Sequence, residues 1–159
     1  MKPTSIGIHI KVKDIQASKR FYDSLGLKAV FAMGTEEYRT TLEEGIDSVP
    51  ENYNGLVYDV NGAKLEIADG HIGIKNQDVF GVTVHTEKIS AMLNFESLVP
   101  LFSNEEVNIT FPVRTYYWGT IEAAFRDPDG FVVVAIAQAT EEEVAAVKEL
   151  VEVEEVTNE

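Results

Sequence analysis

The stretch Thr120-Ile121-Glu122-Ala123-Ala124-Phe125-Arg126-Asp127-Pro128-Asp129-Gly130-Phe131-Val132-Val133-Val134-Ala135-Ile136 reads as two strands folded back on each other. Apolar residues run along both arms, and Asp127-Pro128-Asp129-Gly130 between them has turn chemistry. Residues 56–67 repeat the arrangement around Asp59-Val60-Asn61-Gly62, where Asn-Gly is a strong hairpin signal. Asp59 and Asp127 stand 68 positions apart in a chain of 159 residues. The chain thus repeats itself at about half its length, the mark of a duplicated architecture.

Working outward, each hairpin has a strand and a helix ahead of it. In residues 5–12, Ile6, Ile8, Ile10 and Val12 fall on one face and Gly7, His9 and Lys11 on the other, which predicts a strand. Asp14 is an N-cap for a helix reaching about Leu25, stopped by Gly26. Strands are expected near residues 28–33 and 38–42. In the second half a strand is expected over residues 79–84, a helix over about 89–98 and a strand over 107–111. That sets the opening strands about 72 positions apart. This divides the chain into a first βαβββ module over residues 1–69, a linker over 70–78 and a second module over 79–138. Residues 139–159 complete the chain, and there Thr140 and Glu143 match a capping box. Val144, Val147, Leu150 and Val151 recur at helical spacing, so an acidic amphipathic helix with a frayed end is expected there.

Composition excludes several kinds of chemistry. There is no cysteine, so disulfides, thiolate nucleophiles and cysteine-held metals are absent. The formal charge of −14 repels phosphate backbones, which argues against nucleic-acid binding. No apolar run is long enough to span a bilayer, and Met1 to Ile6 has no secretory pattern. A cytoplasmic location without membrane association is expected. Dinucleotide, phosphate-loop, nucleophile-elbow and His-Glu-x-x-His patterns are missing as well.

Two segments carry a family resemblance. The first is Ile8-His9-Ile10-Lys11-Val12-Lys13-Asp14-Ile15 with Ser18, Phe21-Tyr22 and Leu25-Gly26. The second is Trp118-Gly119-Thr120 with Phe125 through Phe131. Both are similar to landmarks of the glyoxalase/bleomycin-resistance/dioxygenase (vicinal oxygen chelate) superfamily. The resemblance implies an α+β fold in which two tandem βαβββ modules form an open, eight-stranded, barrel-like cup, here with a C-terminal amphipathic helix. In metal-using members four inward-facing ligands come from the opening and closing strands of both halves. The matching positions here are Gly7, Glu66, Val79 and Val134. Three of them offer no lone pair, and one carboxylate cannot hold a catalytic ion where three protein ligands are usual.

The expectation is therefore a metal-free, cofactor-free binding protein resembling the bleomycin-resistance branch. It would take a cationic or aromatic small molecule, and a homodimer is expected. Its ligand-binding residues are expected to be His9, Glu66, Trp118, Glu122 and Arg126, with no catalytic residue assigned. His9 and Glu66 are placed as cross-strand neighbours, and the rings Tyr116-Tyr117-Trp118 either rim the cup or pack. The alternative is a metal-dependent lyase, isomerase or dioxygenase with a displaced site built from His9, Glu66 and Glu122. His71 and His85 read as surface residues. The C-terminal helix either packs on its own domain or a twin subunit, or takes a different partner.

Overall fold

A computed structural model describes residues 3, 6–33, 39–41, 53–69 and 90–157. The chain divides into two compact units, Met1–Thr83 and Val84–Glu159. The elements expected at 79–84, the linker 70–78, and His71, Val79 and His85 lie outside the described residues.

The first unit contains β1 (Gly7–Val12), α1 (Ile15–Ser24), β2 (Ala29–Met33), β3 (Arg39–Thr41), β4 (Gly55–Val60) and β5 (Ala63–Asp69). They form one sheet in the order β1-β5-β4-β2-β3, with β1 parallel to β5. Asp14 starts α1 by accepting from the amides of Gln16 and Ala17, each at 3.0 Å. Gly26 ends it at φ 82°. The Asn61-Gly62 turn has φ of 53° and 91°, which joins tightly twisted strands, and Asp59 Oδ1 accepts from the Gly62 amide at 2.8 Å. One face of the sheet buries Ile10, Val12, Leu56, Tyr58, Leu65 and Ile67, and α1 buries Phe21 and Tyr22, with Leu25 buried just past its end. Phe21 meets Tyr22 edge-on at 5.0 Å.

The second unit contains β6 (Ser90–Asn94), a 3-10 helix (Val99–Ser103), β7 (Val113–Tyr116), β8 (Thr120–Arg126), β9 (Val132–Gln138), α2 (Glu141–Lys148) and β10 (Val153–Val156). The sheet order is β10-β7-β8-β9-β6, with β6 parallel to β9. Without β3 and β10, the two sheets have the same four-strand order. The duplication holds, and a fifth strand extends each sheet at the corresponding edge. Asp127, buried at the second turn, accepts from the amides of Asp129 and Phe131 at 2.9 and 2.8 Å.

Three expectations for this half are corrected. Residues 90–94 are a strand, not part of a helix: a short apolar run satisfies either period, and here pairing with β9 decides it. The only helical turn between β6 and β7 is a 3-10 stretch with Pro100 in its first turn, where the missing N–H costs nothing. Residues 107–111 form no strand; only Ile109 bridges to Phe125. The C-terminal helix stops at Lys148, and the residues expected to fray pair with β7 as β10.

The capping box is half formed. Thr140 Oγ1 accepts from the Glu143 amide at 3.1 Å, but the Glu143 carboxylate accepts from the Leu98 amide at 2.7 Å. Glu143 and Leu98 are buried, as is Val147 of α2. The helix therefore packs on its own module.

Candidate functional site

Each sheet has one face buried by helix and apolar side chains and one left open, because strand side chains alternate. On the first unit's open face, His9 of β1 pairs with Glu66 of β5. Glu66 pairs with Val57, and Val57 with Phe31, so these four form one row across the sheet. His9 Nδ1 lies 3.0 Å from Glu66 Oε1, with the side chains 40% and 32% exposed. The expected cross-strand pair is thus present. With Nδ1 on the carboxylate, Nε2 has no partner among the described residues. One row away stand Gly7, Lys64 and Asp59, with Lys64 and Asp59 in an ion pair.

Gly7 has a physical reason to be glycine. A Cβ there would lie 2.8 Å from the Lys64 carbonyl oxygen and 2.9 Å from Lys64 Cβ. The first metal-ligand position therefore has no donor and no space for one.

On the second unit's open face, the row matching His9–Glu66–Val57 is Met92–Val134–Ala124, and Met92 is 68% exposed. The row that carries the His9–Glu66 contact in one module is an apolar strip in the other. Ser90 pairs with Val132 as Gly7 pairs with Lys64. Ser90 thus holds in its sheet the register that Gly7 holds in the first, while Val79 lies outside the described residues. Across the four positions Gly7, Glu66, Ser90 and Val134, only Glu66 is a strong donor. No group of three or more His, Asp or Glu side chains that could hold a metal occurs among the described residues, so the donor set does not fit the ion.

Glu122 sits one row further on, between Arg114 of β7 and Ile136 of β9, and accepts from Thr120 Oγ1 at 2.8 Å. Arg114 in turn pairs with Glu154 of β10, Nε to Oε2 at 2.8 Å. That bond is the first cause holding the guanidinium above its ordinary pKa, with the Glu154 charge adding to it. Arg126 is engaged in the turn: its Nη1 donates to the Gly130 carbonyl at 2.8 Å, and its guanidinium lies 5.8 Å from the Phe111 ring centre. Trp118, in the β7–β8 turn beside Gly119 at φ 91°, is 55% exposed. It stacks on Tyr116 with ring centres 4.3 Å apart. Glu154, Glu155 and Val156 also stand beside these residues, and no local signal in the sequence places them there. Only the pairing of β10 with β7, 40 positions away, brings them to the site.

The strand order, the parallel closure of each module and the two turns define a glyoxalase-type fold. No protein-family model matches the chain, and no curated protein sequence matches it. Solved structures do. An antibiotic-binding protein, TnmS3, from Streptomyces sp. CB03234 superposes with a TM-score of 0.55 at 16% identity, over 87% of this chain and 97% of that one. A glyoxalase-related enzyme from Fulvimarina pelagi gives 0.54 at 19% identity, over 87% and 89%. A lactoylglutathione lyase from Agrobacterium tumefaciens gives 0.50 at 16%, over 86% and 95%. The chain therefore has the α+β fold of the glyoxalase and bleomycin-resistance proteins, as its repeated motifs imply. Among the described residues no helix is long and apolar enough to cross a membrane.

Proposed function

We infer that the protein binds a cationic or aromatic small molecule without a metal and without chemical turnover. The carrying observation is the donor set. Gly7 is pressed against the Lys64 backbone, Val134 faces Met92, and Glu66 is bonded to His9. A Lewis-acid mechanism needs several oxygen or nitrogen donors converging on one ion, and these positions do not supply them. Binding needs only shape, apolar surface and a few polar contacts. Each unit offers some of these by itself: exposed His9 beside half-buried Glu66 in the first, and exposed Met92 and Trp118 in the second, whose open face also carries Glu122 and Arg126. The likeness to an antibiotic-binding protein supports the reading. Isothermal titration of the full chain against cationic glycopeptide and aromatic drugs tests it. Saturable heat at one site per chain, or per pair of chains, is expected; no heat with any member of the panel overturns it.

A metal-dependent lyase or isomerase is the second reading. It is favoured by the His9–Glu66 pair, since ligating histidines commonly donate their other N–H to a carboxylate, and by the lyase neighbour. Elemental analysis of protein purified without chelators separates the two. Stoichiometric nickel, zinc, manganese or iron, lost in His9→Ala, would replace the first reading with the second.

A further inference from the structure

The pairing of β10 with β7 brings C-terminal side chains to the aromatic cluster. A shallow groove there is lined by Thr115, Tyr116 and Tyr117 and, from the adjoining strand and its end, by Glu155, Val156 and Thr157. Its aromatic wall is held in place: Trp118 lies nearly parallel to Tyr116 and meets Tyr117 edge-on, with centres 4.9 Å apart. Even so, Tyr117 is 60% exposed, so its ring is not consumed by packing. The adjoining strand carries the charge. The Glu155 carboxylate lies 3.4 Å from Lys148 Nζ in an exposed pair, the kind that binds its own partner only weakly.

Aromatic faces attract cations through the ring quadrupole. A carboxylate lining the same groove adds a second attraction of the same sign, and a chain carrying −14 raises the local concentration of cations. A neutral aromatic gains only the stacking, and an anion is repelled by Glu155. We propose that this groove binds a planar organic cation, its rings against Tyr117 and its charge facing Glu155, so that the C-terminal strand forms one wall of the ligand site. The inference rests on the binding-protein reading above and moves the ligand from the open sheet faces to the β7–β10 groove.

The chain has a single tryptophan, so intrinsic fluorescence reports on this place. The full chain is titrated with N-methylquinolinium, and with quinoline in its neutral form, by Trp118 fluorescence and calorimetry together. A saturable, one-to-one quench by the cation is expected, weakened by added salt, with the neutral compound binding more weakly. Glu155→Gln should weaken cation binding about three- to tenfold, from the loss of one charge contact. Tyr117→Ala should weaken it about two- to fivefold. Lys148→Ala removes the competing ammonium and should tighten binding, whereas a purely structural role would weaken or leave it. Unchanged melting temperatures show that the variants remain folded. Binding that persists in Glu155→Gln and Tyr117→Ala but is lost in His9→Ala would place the ligand on the first open face; that overturns this inference and leaves the binding-protein reading intact. Neither heat nor quench with N-methylquinolinium also overturns it, while the drug panel alone decides the broader reading.

Discussion

At residue 7 the absence of a side chain is a packing requirement as well as a missing ligand. An added Cβ meets a backbone carbonyl at 2.8 Å, and overpacking of this kind costs about 1–3 kcal/mol. Gly7→His, the change that would restore a donor beside Glu66, should lower the unfolding free energy from urea titration by an amount in that range and still fail to retain metal on dialysis. A stable Gly7→His protein holding one equivalent of zinc or nickel would show that the site lacks only a ligand. Tyr58 illustrates a different constraint. Its hydroxyl donates to Asp23 Oδ1 at 3.2 Å, and burial first, then the Asp23 charge, push its pKa far above the ordinary phenol value. The folded protein keeps the proton that the unfolded chain loses near pH 10, so this group's contribution is complete below about pH 10 and falls by up to about 1.4 kcal/mol per pH unit above it. Tyr58→Phe should cost about 1 kcal/mol near neutrality and flatten the alkaline decline; urea melts across that range, with an unchanged slope, would refute the assignment.

Among the elements, α2 has a role its own periodicity does not disclose. Glu143 uses its carboxylate on the buried amide of Leu98, capping the 3-10 helix from 45 positions away. Glu143→Ala strands that amide at a cost of about 1–3 kcal/mol. Glu143→Gln keeps an acceptor and should lose less than half as much in the same urea titration; equal losses would mean that packing, not the hydrogen bond, matters. The elements that were legible in the sequence share a feature: their signals are local. Asp14 and Gly26 bound α1, and Asn61-Gly62 and Asp127-Pro128-Asp129-Gly130 bound both hairpins, all within a few residues of what they control. Those misread depend on distant partners. Residues 90–94 are a strand because β9 pairs with them, with Ser90 in the register that Gly7 holds in the first sheet. Val153–Val156 is too short to show a period, and its partner β7 lies 40 positions away. For the same reason His9 and Glu66 could be paired in advance, from the resemblance and its parallel closing strands, whereas the C-terminal wall of the aromatic groove could not.

At the scale of the whole molecule, two modules with one strand order have diverged where they face solvent: His9–Glu66–Val57 in one corresponds to Met92–Val134–Ala124 in the other. A duplicated fold keeps its buried alternation because packing demands it, while the open rows are free to change chemistry. With a net charge of −14, repulsion acts between many carboxylates. The ion pairs that oppose it among the described residues, Lys19–Asp23, Lys64–Asp59, Arg114–Glu154 and Lys148–Glu155, are each partly exposed and worth roughly 0–1 kcal/mol. Salt screens both contributions, so the sign of its effect reveals which is larger. Net repulsion predicts that raising sodium chloride from about 0.02 M to about 0.3 M lifts the melting temperature by about 2–5 °C, on the order of 1 kcal/mol for a chain of this size. Sodium sulfate at equal ionic strength should lift it further, since excluded anions add to screening. A melting temperature that falls with sodium chloride would mean that these exposed pairs outweigh the repulsion, and that the acidic surface is organised around them.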